Sequence, residues 1–562
     1  MIKKWEAFQI DETRVSEIAK KHNINELLAR ILLNRNIDTD EKIDKFLYPK
    51  LEHLNDPYLF KGMEEAVSRI LQAVNNKEKI TIYGDYDVDG ITSITVLKKF
   101  LDELDTEVDY YLPNRLSEGY GLNNTALEKI KANGTKLMIT VDCGISAYEE
   151  IEHAKSIGLD VIVTDHHECP EKLPEAIAVI DAKRPDNTYP FNSLSGVGVS
   201  FKVIQAICMK LDLPSERYLK YLDIVCLGTV ADIVPLVDEN RVIVKYGLEC
   251  MRNTKNVGLR ALIETSGYKS IDSGAISFGL APRINACGRM GQAELALDML
   301  LTESQEKSME IAEHLQTMNR ERQEVEKGIM ENATKIIEEN KLYNDNVIVV
   351  GNENWHHGVI GIVASKITEM YYKPSVLICF EGEEGKGSGR SIDGFDLHEA
   401  LSACGDKLLK YGGHEMAIGL TLKKSEFNNF KNAIIEFAKY KISEDLVPVV
   451  KYDAEVSTKD ISKETIESLK LLEPYGEANN SPIFVYKNVK VDSIRTLSND
   501  KHLKLNIKEG NSVFNAIAFN MGDRKDSIRM GDKVDILHYL ELNRYNGYES
   551  VQLNVKDIKK SL

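Results

Sequence analysis

Three aspartates at alternate positions, Asp85, Asp87 and Asp89, lie between two glycines in a stretch that follows an apolar run. Carboxylates so close together repel one another strongly unless a cation joins them. Hard divalent ions prefer oxygen ligands of this kind, so the spacing predicts a metal site. Aspartate and glycine are also ordinary turn residues, and taken alone the stretch fits a surface turn equally well.

Further side chains of the same chemistry occur downstream and favour the metal site. Asp142 follows one short apolar run, His166 and His167 lie at the end of another, and Asp232 lies inside the apolar stretch 228–236. A buried aspartate is costly unless it is paired or bound to metal. We therefore predict a centre of two divalent ions, which can activate water and stabilise a leaving oxygen. Mixed carboxylate and imidazole ligands suit Mn²⁺, with Mg²⁺ as the alternative.

Short β-branched runs at 79–83, 137–141 and 161–164 precede most of these side chains, and helix-like sequence follows each run. This pattern is typical of parallel strands in βαβ units and predicts an α/β fold. Ligands bind at the carboxyl ends of such strands, so side chains about eighty residues apart would converge on one edge of the sheet.

The chain of 562 residues is too long for one hydrophobic core, and its patterns divide it into five segments. Residues 1–45 are helical and mixed in charge, and residues 46–260 carry the parallel sheet. Residues 261–344 form a connector with one long helix, because apolar residues recur there at spacings of three and four. A second α/β unit is expected at 345–445. Short strands of alternating polarity at 446–562 predict a small barrel, with an OB-fold as the candidate.

The motifs, taken in order, resemble those of the DHH phosphoesterase superfamily. They are Asp-Tyr-Asp-Val-Asp-Gly at 85–90, Asp-Cys-Gly at 142–144, Asp-His-His at 165–167 and Gly-Thr-Val-Ala-Asp at 228–232. Further stretches at 114–121, 196–202 and 282–290 narrow the resemblance to the RecJ family. The resemblance implies a metal-dependent exonuclease that hydrolyses single-stranded DNA from the 5′ end to mononucleotides, in DNA repair and recombination. It also implies a DHH catalytic domain, a DHHA1 substrate-binding domain and an OB-fold domain.

The resemblance assigns roles to the metal ligands. The expected ligands all carry carboxylate or imidazole groups: Asp85, Asp87, Asp89, Asp142, His166 and Asp232. Asp142 would bridge the two ions, with the first acidic stretch on one side and His166 and Asp232 on the other. Asp85 would bind directly or through water. His167 is expected to contact the scissile phosphate or to assist protonation, so His167 and Asp142 are the predicted catalytic residues.

Several basic and polar residues before the long helix are expected to contact DNA. Arg115 ends an expected strand, where ligands bind, and is predicted to meet substrate phosphate rather than to be a plain surface residue. The family-like stretch 282–290 contributes Arg283, Asn285 and Arg289.

Arg322 interrupts the apolar stripe of the long helix, where a charge must find a partner. Two hypotheses are equally open. Arg322 pairs with an internal acid, or it projects into the DNA cleft together with Gln323.

Two glycine-rich stretches of the second α/β unit are expected to be loops that hold the 5′ end. Backbone N–H groups in such loops can cradle an anion, and Arg390 beside Ser388 offers a fork for phosphate. Gly412, Gly413 and His414 would close the other side.

In the last segment, Tyr486, Phe514 and Phe519 are predicted mainly as barrel core rather than as base-stacking residues. The stretch 471–476 resembles the hinge of the family, although Ala478 stands where glycine is usual.

The net charge of −17 argues against broad duplex binding, which needs a basic surface, and is compatible with a narrow single-strand groove. The eight cysteines lack metal-type spacing, and neither a signal peptide nor a membrane-length apolar run is found, so a reduced cytoplasmic protein is expected. Single-stranded DNA is the expected partner. A single-stranded-DNA-binding protein and a helicase are candidate partners, and a membrane is not.

Two other functions fit parts of the sequence. An enzyme of the same superfamily that acts on cyclic dinucleotides or very short RNA would lack the connector and the barrel. A catalytically inactive DNA-binding scaffold would have lost metal ligands, whereas all the expected ones are present. The exonuclease is therefore the prediction, and RNA stays open as a competing substrate.

Overall fold

The computed structural model describes residues 3–114, 118–119, 121–442, 446–545 and 547–561. Its strands, in chain order, are β1 Lys4–Ala7, β2 Ile80–Tyr83, β3 Val108–Tyr111, β4 Leu137–Val141, β5 Asp160–Thr164, β6 Ala178–Ile180, β7 Ile348–Asn352, β8 Ser375–Glu381, β9 Glu384–Arg390, β10 Lys410–His414, β11 Ala417–Lys423, β12 Val449–Tyr452, β13 Ala454–Glu455, β14 Phe484–Leu497, β15 His502–Glu509, β16 Ser512–Ala518, β17 Lys533–Tyr545 and β18 Tyr548–Lys560.

The helices, again in chain order, are α1 Glu12–His22, α2 Glu26–Asn34, α3 Asp40–Leu47, α4 Met63–Asn75, α5 Val88–Asp102, α6 Asn124–Ala132, α7 Tyr148–Ser156, α8 Gly196–Lys210, α9 Glu216–Leu219, α10 Leu222–Ala231, α11 Asp238–Met251, α12 Val257–Ser266, α13 Ser273–Ala275, α14 Ala281–Arg289, α15 Ala293–Leu301, α16 Gln305–Glu339, α17 His357–Tyr371, α18 Leu397–Ser402, α19 Phe427–Lys439 and α20 Lys463–Leu469. A π-helical turn, Ile276–Leu280, joins α13 to α14.

A five-stranded parallel sheet forms the centre of the first domain, in the order β3-β2-β4-β5-β6. Every residue of β2 and β4 is buried, and alternate side chains of the sheet pack into two different apolar clusters. Both faces are therefore covered, as near-continuous apolar strands require. The predicted parallel α/β domain is confirmed.

The core of this domain continues past the boundary expected at residue 260. Apolar side chains of α12, α14, α15 and the first half of α16 belong to the same cluster, which extends to Met318. The connecting part of the chain is the second half of α16, where Ile329, Ala333 and Ile337 pack with α17 of the next domain. The predicted long connector helix is present.

The second domain contains a mixed sheet in the order β10-β11-β9-β8-β7. Strands β7 and β8 are parallel, and the other neighbours pair antiparallel. The last strand, β10, lies at the edge of the sheet, and all five of its residues are exposed.

The third unit is a β-barrel that shares its core with the N-terminal segment. Strands β13 to β18 form one sheet, which the pairing of β14 with β17 closes. Strand β1 pairs in parallel with β12, and Leu28, Ile31 and Phe46 of α2 and α3 pack into the cluster inside the barrel. The barrel prediction is confirmed. The N-terminal segment is mainly helical as expected, and it shares its core with the other end of the chain.

Arg241 joins the first domain to the chain that leads into the barrel. Its guanidinium lies 3.9 Å from the centre of the Phe46 ring, and Nε donates to the Phe46 carbonyl. The remaining donors bind the carbonyls of four consecutive residues, 471–474. Burial lowers the pKa of Arg241 to about 9. Arg241 thus holds the stretch that resembles the family hinge, together with Asn479, whose Nδ2 donates to the carbonyls of Leu472 and Pro474.

Among the described residues, no helix combines the length and apolar character that crossing a membrane requires. All eight cysteines are free thiols.

Candidate metal centre and nucleic-acid contacts

The first acidic stretch turns the chain from β2 into α5. Asp87 caps the helix, and its carboxylate accepts hydrogen bonds from the amides of Asp89 and Gly90. A Cβ at Gly90 would lie 2.3 Å from the carbonyl oxygen of Asp85, so only glycine allows the turn to close. The spacing of the three aspartates is thus tied to a strand-to-helix turn that brings them to the carboxyl edge of the sheet.

The other expected ligands meet this turn from neighbouring strands. Asp142 follows β4 with a φ of 58°, and His166 follows β5. The Nε2 atom of His166 lies 3.0 Å from Asp142 Oδ1, 3.6 Å from Asp232 Oδ2 and 3.8 Å from Asp89 Oδ2. Residues far apart in sequence therefore converge as the strand-end argument predicts.

Asp89 is further held by the start of α8. The amides of Gly196 and Val197 donate to its two carboxylate oxygens at 2.6 and 2.8 Å. A Cβ at Gly196 would lie 2.6 Å from Cβ of Asp142, so the glycine also makes room for that side chain. This contact gives the stretch 196–202 a physical role, namely to hold the acidic cluster with a helix N-terminus.

Ligand atoms fall into three groups whose members lie within 4.8 Å of one another. The groups are Asp85, Asp87 and Asp142; Asp89, His166 and Asp232; and Asp142, His166 and His167. Oδ1 of Asp142, Nε2 of His166 and Oδ2 of Asp232 are buried and make no well-oriented hydrogen bond among the described residues, although Asp142 Oδ1 and His166 Nε2 lie only 3.0 Å apart. Such atoms are expected to bind something, because a buried polar atom without a partner is costly.

Burial and mutual repulsion oppose ionisation of these carboxyls without a cation. Burial and then Asp89 raise the pKa of Asp142 well above its ordinary value. The same two causes raise the pKa of Asp232 to about 9, whereas burial and then Asp87 raise that of Asp89 to about 7. Burial, followed by His167, lowers the pKa of His166 to about 3 and keeps its imidazole neutral. A neutral imidazole among acids that need a counter-charge fits a divalent ion.

Asp165 holds the backbone of both histidines and the ring of His167, a role that the sequence analysis did not assign. Oδ1 accepts hydrogen bonds from the amides of His166 and His167 and lies 2.6 Å from Nδ1 of His167. Oδ2 accepts the amide of Ile145 at 2.9 Å. Although burial lowers it, the pKa of His167 is raised overall, because its ring is hydrogen-bonded to the Asp165 carboxylate. The signal was available in the sequence, since Asp165 directly precedes the histidine pair.

The predicted DNA contacts from α14 are placed differently from one another. Arg283 is buried and donates from Nε to Gln316 and from Nη1 to the Gly279 carbonyl. Arg289 donates from Nη1 to the carbonyl of Gly358 and so connects the first domain to the second. Asn285 lines a large cleft. Arg115 lies outside the described residues.

Arg322 pairs with an internal acid, as the first of the two hypotheses proposed. It is buried, pairs with Glu326 and donates from Nη2 to Oδ1 of Asn319 at 2.6 Å. Lys366 of α17 reaches the other oxygen of Glu326, so the network fixes α16 against the second domain. Gln323 is exposed and lines a small groove beside this network.

The two glycine-rich stretches of the second domain form strands β9 and β10. The prediction that they are loops was wrong. Ser388 and Arg390 lie on β9, which pairs with β8 on one side and β11 on the other, so its backbone groups are used in the sheet. The glycines there leave room for neighbouring side chains, since a Cβ at Gly389 would lie 2.7 Å from Ile418. Gly412, Gly413 and His414, by contrast, lie on the exposed edge strand β10.

The barrel aromatics divide between core and surface. Tyr486 is buried and Phe514 is half-buried, as predicted for core residues, whereas Phe519 is exposed beside the ring of His502. Ala478, at the hinge position where glycine is usual, has a φ of 56°.

Comparison with protein families matches three parts of the chain. The DHH family N-terminal domain matches residues 79–229, the DHHA1 domain residues 344–440 and the RecJ OB domain residues 452–557. The protein named single-stranded-DNA-specific exonuclease RecJ of Bacillus subtilis (strain 168) is 39% identical over 560 residues, covering 99% of this chain and 70% of that protein. The chain belongs to the RecJ family.

Other RecJ proteins are similar to this chain over almost its full length, in sequence and in structure. The RecJ of Haemophilus influenzae is 33% identical over 556 residues, covering 95% of this chain and 96% of its own. The crystal structure of RecJ in complex with Mn²⁺ from Thermus thermophilus has a TM-score of 0.87 at 29% identity, covering 100% of this chain and 80% of that one. The Mg²⁺ complex from the same organism has a TM-score of 0.80 at 28% identity, covering 100% of this chain and 79% of that one. The expected DHH, DHHA1 and OB organisation is therefore confirmed.

Proposed function

We propose that this RecJ-family protein is a metal-dependent exonuclease specific for single-stranded DNA, acting in DNA repair and recombination. The observation that carries the proposal is the trio Asp142, His166 and Asp232, whose buried polar atoms make no well-oriented hydrogen bond among the described residues. Relatives named single-stranded-DNA-specific exonuclease, similar along almost the whole chain, support the substrate.

We infer that two divalent ions bind here, Mn²⁺ or alternatively Mg²⁺. The acidic group around Asp85 and Asp87 and the mixed group around His166 and Asp232 would each hold one ion. Asp142 belongs to one purely acidic group and to one group with His166, which supports a bridging position. When bound, such ions activate water and stabilise the leaving oxygen of a phosphodiester.

His167 is inferred to act on the substrate rather than on the metal alone. Its side chain is 45% exposed, whereas that of His166 is 10% exposed. The hydrogen bond to Asp165 favours the protonated ring, which suits contact with a phosphate oxygen or transfer of a proton.

The strand specificity of the proposed activity can be tested with DNA of different topology. Linear single strands should be degraded, whereas blunt duplex and single-stranded circles should be spared. Gly288 lies against Tyr86 of the first acidic loop, and the neighbouring Arg289 donates to the Gly358 carbonyl of the second domain. We infer that a site so close to the second domain admits one strand and excludes a duplex. Release of mononucleotides from the three substrates in Mn²⁺ is the measurement. Rapid cutting of the circle would show endonuclease action and refute the exonuclease.

We infer that the second domain anchors the 5′ phosphate. Arg390 and Ser388 lie against Gly361 in the first turns of α17, and the edge strand β10 contributes Gly412 and His414 nearby in the same sheet. A terminal phosphate needs a cation and several N–H donors, and this arrangement brings both kinds of group to one domain.

Arg390→Ala should weaken action on 5′-phosphorylated single strands by about 10- to 150-fold and narrow their advantage over 5′-hydroxyl strands. Turnover on the two substrates at fixed Mn²⁺ and salt is compared for wild type and variant. Lys386→Ala on the same strand, a half-buried residue whose ammonium lies 3.6 Å from Glu381, is the matched control. An equal loss on both substrates would make Arg390 a structural residue or a general backbone contact.

We also infer a cytoplasmic location, which the eight free thiols support. A helicase and a single-stranded-DNA-binding protein are inferred partners, because an enzyme that spares duplex needs its strands separated first.

A further inference from the structure

A large cleft adjoins the metal centre. Its volume is about 1410 Å³, and its lining comes from the N-terminal segment, the first domain and the barrel with the chain that leads into it. Two apolar side chains in that lining stand in solvent, since Ile233 is 69% exposed and Phe278 is 84% exposed. Asp232, whose carboxylate lies near His166, directly precedes Ile233. The cleft therefore begins one residue from a predicted metal ligand.

Ile233 is held in a backbone conformation that its side chain disfavours. Its φ is 61°, in the left-handed region where a β-branched residue is an outlier and raises the energy of the folded state. Its exposure means that packing inside the protein does not offset this strain. A strained backbone that presents an exposed apolar side chain beside a predicted metal ligand indicates a functional position, where the substrate supplies the missing contact.

Phe278 belongs to the π-helical turn Ile276–Leu280, which packs against α10, the helix that ends just before the last predicted ligand. The chain continues into α14, where Gly288 lies against the carbonyl of Tyr86 in the first acidic loop. At 1.5 Å per residue, Phe278 is about 15 Å along the helix from that contact. The ring thus stands within a short stretch of single strand from the metal centre.

The charges and rings around the cleft suit a single strand of nucleic acid. Although acids outnumber bases in the whole chain, 88 to 71, the lining carries six cations and five acids. The cations are Arg35, Lys245, Arg252, Lys451, Lys470 and Lys556. Tyr539 also lines the cleft, with the Lys556 ammonium 4.6 Å from its ring. Cations that follow a phosphate backbone, combined with exposed rings, are the usual means of binding single strands without sequence preference.

We propose that Ile233 and Phe278 hold the bases of the substrate strand on the 3′ side of the bond that is cut. Phe278 stacks on one base, and Ile233 contacts the base nearer the metals. This assignment rests on the proposed exonuclease function, in which the 5′ nucleotide lies toward the second domain. The rest of the strand must then leave by another route, and the cleft lining comes from the other parts of the molecule.

The test uses 5′-phosphorylated single strands in which one nucleotide at a time lacks its base. For the wild-type protein, release of the first mononucleotide should slow when the missing base is the one that faces Phe278. Phe278→Ala should raise KM on the intact strand by about 5- to 150-fold and should be insensitive to base removal at that position. Tyr440→Ala, which removes an 83% exposed ring from the second domain, is the matched control and should behave as wild type.

Ile233→Asn separates backbone strain from substrate contact, because asparagine tolerates the left-handed region. The melting temperature should rise by about 2–4 °C as the strain is relieved, while KM on single strands increases. A variant that melts higher and cuts with unchanged KM would remove Ile233 from the substrate path.

The outcomes separate this inference from the proposed function. Wild-type protein that fails to cut the intact strand in Mn²⁺ would refute the exonuclease and the base contacts together. The base contacts alone would be refuted if the wild-type protein is active and Phe278→Ala keeps the wild-type KM. The same conclusion would follow if that variant keeps the wild-type response to each missing base.

Discussion

Individual residues of the metal centre suit metal binding but lower the stability of the protein when no metal is bound. Asp142 is buried among other acids, and its pKa is raised well above the ordinary range by burial and then by Asp89. A carboxyl in this setting does not stabilise the protein until a cation arrives. Its presence is therefore explained by what the site binds.

Asp142→Asn should abolish hydrolysis while single-stranded DNA still binds, since the proposed DNA contacts use other residues. The variant should also lose the stabilisation that Mn²⁺ gives the wild type, which is about 2.7 kcal/mol at an ion concentration 100 times the Kd. Thermal melting with Mn²⁺ and with chelator, beside a nuclease assay, checks both effects. Asp102→Asn, at the exposed end of α5, is the control. Near-normal turnover of the Asp142 variant would refute the metal assignment.

A second buried residue, His538 of the barrel, should make stability depend on pH. It is fully buried, Nδ1 lies 3.2 Å from the Tyr539 carbonyl, and burial lowers its pKa to about 4. The unfolded chain, with an ordinary pKa near 6.5, binds the proton more readily than the folded barrel does. The contribution to stability is thus complete above about pH 6.5 and is lost as the pH falls toward 4.

Between pH 6.5 and 4 the free energy of unfolding of the wild type should fall by about 3 kcal/mol because of His538. His538→Asn keeps a donor for the Tyr539 carbonyl and cannot titrate, so it should flatten the loss of stability between pH 6.5 and 4. Urea unfolding followed at several pH values measures the slope. The exposed His314 replaced by Asn is the comparison. An unchanged slope in the His538 variant would contradict the account.

At the scale of elements, the parts that could be predicted from sequence are those that local patterns control. Strands β2, β4 and β5 are short apolar runs, and the acids that follow them had to meet at one edge of a parallel sheet. The strands around Gly389 and Gly412 were not predicted, because the reasons for their glycines are not local. Side chains of distant residues pack over Gly389, and Gly412 lies on an exposed edge strand.

The role of Arg241 was equally hidden, because its partners lie about two hundred residues away on either side. A surface arginine and a buried one look alike in sequence. The same reason applies to Arg322, whose partner Glu326 is local but whose burial depends on the second domain. Long-range packing, which no short pattern encodes, decides both cases.

Arg241→Met should destabilise the junction between the first domain and the barrel by about 3–5 kcal/mol, because it leaves five carbonyl groups without their buried cation. Arg241→Lys should recover only part of the loss, since an ammonium has three donors in place of a planar fork. Limited proteolysis and urea unfolding report the junction. Arg260→Met, which removes a single bond to the Thr254 carbonyl, is the control and should cost far less. An equal loss of stability in Arg241→Met and Arg260→Met would contradict a special role for Arg241.

The whole molecule combines three units that specific contacts connect. Helix α16 joins the first two domains, Arg241 fixes the chain that leads into the barrel, and the N-terminal segment completes the barrel core. The overall charge is −17, but the large cleft beside the metal centre carries nearly equal numbers of cations and acids. Affinity for DNA should therefore come from a few placed groups rather than from a basic surface.

The most direct measurement starts from metal-free wild-type protein and a linear single strand labelled at its 5′ end. On addition of Mn²⁺, labelled mononucleotide should be the first product, and no product should form in chelator. The label would be released at once because hydrolysis begins at the anchored 5′ terminus. Label that stays on long fragments, or equal hydrolysis with and without the metal, would contradict the proposed enzyme.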